Sequence, residues 1–118
     1  MTTQRTLTPD ELLAGADATY TVAVPQQVLR PGQNGHGKLR EAEAPGTVEL
    51  RPLTIGTFQL IMKAARDDTG LIPLLMIKEA LVNPALSMVQ IRTLHLGLIE
   101  FLIGHIRQIS GLTEKKTP

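Results

Sequence analysis

The chain has 118 residues, a formal net charge of +1, no cysteine, no tryptophan and three aromatic residues, Tyr20, Phe58 and Phe101. The length suits one domain with a modest core, and Leu, Ile, Val, Met and Ala have to fill it. The missing cysteines exclude a disulfide framework, a thiolate zinc site and a cysteine nucleophile. The scattered basic residues, with no stacking aromatics between them, lack the stripe of a nucleic-acid binder.

The first stretch, "MTTQRTLTPDELLAG", has no apolar core of the length a secretory signal requires. Within it Thr8, Pro9 and Glu11 form a capping-box pattern for a short helix that Gly15 ends. In "ATYTVAVPQQVL", Tyr20, Val22 and Val24 alternate with Thr21 and Ala23, the period of a half-buried strand. Pro25 limits that strand or places it at an edge.

Residues 31–46 carry four glycines, two prolines and mixed charges, so they can bury no face and predict a long flexible loop. A loop of that length in a small domain is functional, ordered on binding or simply flexible, with plain flexibility the default reading. "TVELRP" (47–52) then predicts a second strand, alternating Val48 and Leu50 with Glu49 and Arg51. Two such strands pair as a hairpin with the loop at its tip, and they need helices or a partner's sheet to pack on.

From Thr54 onward the pattern is helical. Thr54 is a predicted N-cap, and Leu53 and Phe58 take the positions of a hydrophobic staple. Ile55, Phe58, Met62 and Ala65 are predicted to line one face. "RDDTG" (66–70) is turn chemistry. A second helix is predicted over 71–82, with Pro73 tolerated in its first turn and Asn83 and Pro84 as its stop. Ser87 and Gln90 form a capping box for a short third helix. The last helix is predicted over about 95–110, ending in a Schellman-type turn at Gly111 and Leu112. The expected architecture is therefore α+β and mainly α, a two-stranded hairpin with a long loop followed by a bundle of three to four helices. Residues 1–46 hold the short helix, edge strand and loop, 47–112 the second strand and helical module, and 113–118 a charged, disordered tail.

Candidate chemistry is sparse. Asp68, Thr69 and Gly70 spell the short signature of aspartic proteases, but that chemistry needs the aspartate at the end of a buried strand, and here helical patterns flank it. His95 and His105 lie ten residues apart and so do not share a helix face; no carboxylate completes a metal set with them or with His36. "GQNGHG" (32–37) is followed by neither the Lys-Ser/Thr nor the helix of a phosphate-binding loop. No cofactor, metal or catalytic residue is expected. The longest apolar run, "LHLGLIEFLIGHI" (94–106), is shorter than the ~18–20 residues of a membrane span and carries Glu100 and His105. The expected setting is cytoplasmic, with no membrane and no nucleic-acid partner.

Two features point toward protein contacts. Gly97 and Gly104 fall on one stripe of the last helix and admit a close-packed neighbour, an internal helix ahead of a partner. "LIPLLMIKEALV" has only Lys78 and Glu79 as charged positions, so its helix either fills a shared core or leaves a contact patch exposed.

The stretch 48–112 resembles the small tail assembly chaperones of bacteriophages and phage-tail-like particles. The likeness is carried by "LRPLTIGTF", by the helix ending "AARDD", by "IKEALVNPALS" and by the closing apolar helix ending "ISGL". It covers about the last two-thirds of the chain, and the Gly-rich segment 31–46 departs from it. The resemblance implies a mainly helical, non-enzymatic protein that coats the tape measure protein while tail tube protein polymerises around it. No catalytic residue carries over. It implies contact with a tape measure or tail tube protein through apolar helix surfaces, at Phe58, Met62, Leu75, Met76, Phe101 and Ile103, to which the glycine stripe adds Gly97 and Gly104. It further implies a homo-oligomer located in the bacterial host cytoplasm. The rival readings are a structural or adaptor component of such a particle and a small hydrolase using Asp68.

Overall fold

The computed structural model describes residues 4–32 and 46–112. Helix α1, Pro9–Leu13, starts with the predicted capping box: the Thr8 hydroxyl accepts from the Glu11 amide at 3.2 Å, and the Glu11 carboxylate accepts from the Thr8 amide at 2.8 Å. A 3-10 turn, Ala14–Asp17, leads to strand β1, Tyr20–Val24. Pro25 ends the strand, as expected, and a one-turn helix α2, Gln26–Leu29, follows it without having been foreseen. Most of the predicted loop, 33–45, and the predicted tail, 113–118, lie outside the described residues.

Strand β2, Gly46–Leu50, runs antiparallel to β1, with Leu50 opposite Tyr20 and Val48 opposite Val22. Val24 and Leu50 are buried on the inner side of this pair. The sheet has three strands, not the two expected. The predicted helix over 71–82 stops at Ala80, and β3, Leu81–Asn83, pairs antiparallel with the other side of β2. Asn83 precedes a proline, which disfavours α geometry, and Val82 is β-branched and stiff. The free edge of β2 gives the extended chain its ladder.

Helix α3, Ile55–Ala64, begins at the Thr54 cap, whose hydroxyl accepts from the Thr57 amide at 3.2 Å. Helix α4, Leu71–Ala80, carries Pro73 in its first turn, where no intrahelical donor is lost. Helix α5, Met88–Arg92, has the Ser87–Gln90 capping box. Helix α6, Leu96–Ile109, closes in a full Schellman turn: Leu112 N donates to Arg107 O at 2.7 Å, Gly111 N donates to Gln108 O at 3.1 Å, and Gly111 sits at φ +80°.

Helix α4 is the hub, packed by α3, α5 and α6. Leu50, Ile77, Ile91 and Ile106 are fully buried there, with Ile61, Ala80 and Leu102 beside them. Among the described residues no polar or charged side chain is buried, so burial of aliphatic area is the main stabilising contribution. Two long-range ties hold the passage from β2 into α3. Arg51 donates from its backbone N to Ala80 O at 2.9 Å and from Nε to Glu79 O at 3.1 Å. Leu53 N donates to the Ser110 hydroxyl at 2.9 Å, clasping the passage to the end of α6.

A candidate protein-binding surface

The buried face of α3 is turned from the predicted one. Ile61 and Ala65 are buried and Phe58 is half-buried, whereas Ile55, Leu60 and Met62 are 72, 67 and 42 % exposed. At ~100° per residue this is a rotation of roughly 60°. The reason lies in the composition: aliphatic residues surround this helix, so periodicity leaves its orientation open and the packing on α4 decides it. The outcome is an outer side on which Ile55, Leu60 and Met62 stand exposed among Gln59 and Lys63.

The other sequence-predicted contact positions divide. Met76 is 5 % exposed and belongs to the core cluster, which removes it from a contact surface. Leu75, Phe101 and Ile103 are half-buried and pack against that cluster. Gly97 and Gly104 are exposed. A Cβ at Gly104 would meet nothing within 4 Å, and one at Gly97 only the His95 ring at 3.5 Å. The internal neighbour expected over this stripe is therefore absent among the described residues, because α6 turns the opposite side, Leu102 and Ile106, toward α4.

The chemistry-bearing residues serve local structure. Asp68 is exposed in the turn between α3 and α4, where its Oδ1 accepts from the Gly70 amide at 3.0 Å; it lies on no buried strand. His95 is the N-cap of α6. Its Nδ1 accepts from the Leu98 amide at 3.2 Å, and Nε2–H donates to the Leu29 carbonyl at 3.3 Å, which ties α2 to α6 and selects the Nε2–H tautomer. Sequence reasoning missed this role, since the carbonyl partner lies 66 residues away. His105 makes a tilted ring contact with Phe101, the centroids 4.6 Å apart and the planes at 52°. Among the described residues no cluster of three metal-ligating side chains occurs, and no helix is long and apolar enough to cross a membrane.

Two further features border the body. Residues 4–17 form an arm whose every residue is exposed, with Leu7, Leu12 and Leu13 at 48, 69 and 63 %. The arm is held by its own contacts: the Arg5 guanidinium forks onto Glu11 at 2.8 and 3.0 Å. That cation, with help from the Thr8 backbone amide, keeps the Glu11 carboxyl below the usual carboxylate range. The second feature is an open groove of about 620 Å³ between β1 and the last turns of α6, lined by residues 20–23 with His105, Gln108 and Ile109.

Comparison with protein-family models, curated proteins and solved structures finds no match to this chain.

Proposed function

We propose that this chain is a non-enzymatic assembly factor of a phage-tail-like machine, a chaperone that holds a tape measure protein soluble in the cytoplasm until the tail tube forms around it. What supports the reading is the outer side of α3, where Ile55, Leu60 and Met62 stand exposed among Gln59 and Lys63, together with the resemblance of residues 48–112. A face of this kind suits the apolar stripe of a long amphipathic helix, and an unbranched methionine adapts to successive turns of differing sequence. In this reading β1 and β2 are the hairpin from which the helical module departs, and the module presents α3 outward.

The experiment is coexpression with a tape measure fragment. The fragment is expected in the soluble fraction with the wild-type chain, and in the pellet with Ile55→Asp/Leu60→Asp, whose circular dichroism stays unchanged because both positions are exposed. Equal solubility with and without the chain would refute the reading. Retention of the chain in purified mature particles would instead make it a structural component.

A further inference from the structure

The described chain carries two uncovered surfaces, an arm and a groove. The arm, residues 4–17, is leucine-bearing and acidic: one cation, Arg5, stands against Asp10, Glu11 and Asp17, a net charge of −2. The rest of the described residues hold seven cations against five anions, a net charge of +2, and none of these twelve side chains lines the groove beside β1, so any attraction is long-range. Helix α1 is five residues long, too short to be stable in water on its own propensity. Leu7 and Leu12 occupy the positions that pair across a helix start, so the arm is shaped as a small apolar wedge, yet all of it faces solvent.

The groove beside β1 has the opposite deficit. Among the described residues β1 has β2 on one side and no strand on the other. Its five residues, Tyr20–Val24, contain no charge and no proline, and its pairing with β2 has no bulge. Natural edge strands are normally guarded by one of those devices or covered by another element. The groove lined by Tyr20–Ala23 is open, with Ile109 in its wall. The arm joins the chain at residue 18, directly before β1, so the root of the arm adjoins the unguarded edge.

We propose that two copies of this chain exchange arms, each laying Leu7, Leu12 and Leu13 into the groove between β1 and α6 of the other. One exchange covers both deficits with the same two surfaces, whereas a foreign protein would need separate complements to an acidic leucine wedge and to an uncharged strand edge. The two-fold form is isologous and closes on itself. The inference does not depend on the proposed function.

The chain has no cysteine, which allows a direct test. Copies carrying Leu12→Cys are mixed with copies carrying Gln108→Cys and treated with a short bis-maleimide; a covalent dimer is expected in the mixture and not in either sample alone. A single chain carrying both substitutions, when diluted, is expected to give cross-linked dimers. In sedimentation equilibrium, Leu12→Asp/Leu13→Asp is expected to weaken association by ~100-fold or more, from the loss of two apolar burials, with unchanged circular dichroism. Cross-linking only within the doubly substituted chain would overturn exchange in favour of an arm that folds back. A wild-type monomer at every concentration would overturn it too, as would association indifferent to the two leucines. A monomer that still solubilises the tape measure fragment would sink exchange and leave the proposed function standing.

Discussion

The arm and the α4–α6 body use the same kinds of aliphatic side chain in opposite ways. In the body, Ile77, Ile91 and Ile106 are fully buried among one another's helices. In the arm, Leu7, Leu12 and Leu13 stand in solvent, and order comes from polar contacts that close within seven residues, from Arg5 to Glu11. The contrast separates two sources of local order. Capping and charge shape a short helix, but burial is what holds an element to the rest of a fold.

The sharpest break of this contrast is a pair of truncations. Ile106→Ala or Ile77→Ala is expected to cost about 2–5 kcal/mol, through lost transfer energy and a cavity that aliphatic neighbours only partly close. Leu12→Ala, in the dissociated chain, is expected to fall within about 0.5 kcal/mol of zero. Urea unfolding followed by circular dichroism measures both, and a costly Leu12→Ala would mean that the arm is docked on its own body.

Next in size is His95. His95→Ala removes the α6 cap and the tie to Leu29, a loss of about 1–2 kcal/mol. His95→Asn is expected to recover the cap and leave the tie broken. If the two variants unfold at the same denaturant concentration, the cap contributes nothing.

A smaller effect of the opposite sign is expected at Gly104. It lies in an exposed helix interior with open space where a Cβ would sit, so Gly104→Ala is expected to stabilise by about 0.5–1 kcal/mol. At Gly111 the same substitution meets φ +80° and is expected to destabilise. Thermal unfolding of the two variants therefore shifts in opposite directions.

The smallest effect is confined to the arm. The Glu11 carboxyl is held below its ordinary range, chiefly by Arg5. A depressed carboxyl contributes local order that is complete above its unfolded pKa and is lost as pH falls through the folded one. Acidification through the carboxylate range is therefore expected to erase the helical backbone shifts of residues 9–13 in NMR spectra. The helical Cα shifts of α4 should hold.

What could be read from the sequence follows from how local each signal is. The Thr8–Glu11 and Ser87–Gln90 boxes, the Thr54 cap and the Gly111 turn each lie within a few residues, and all four stand where expected. β3 escaped because Leu81 and Val82 continue an apolar run that reads as helix until a free strand edge is known to lie beside it. The face that α3 buries escaped because aliphatic residues surround it. Leu60, in the candidate surface, could have been found only by knowing which side α4 covers, and the capping role of His95 only by knowing where Leu29 lies. Met76 illustrates the converse: an apolar, flexible side chain suited to contact, placed in the core by the helix it sits on.

The clasp between Leu53 and Ser110 has a consequence in time. The body cannot close until residue 110 has been synthesised, and the last residue of the arm precedes it by 93 residues, from 17 to 110. At ~5–20 residues per second, the arm leads the clasp off the ribosome by roughly 5–20 s. Leu7, Leu12 and Leu13 therefore emerge before every core residue from Val24 to Ile106, and on a message carrying several ribosomes they meet the bodies of chains finished just ahead.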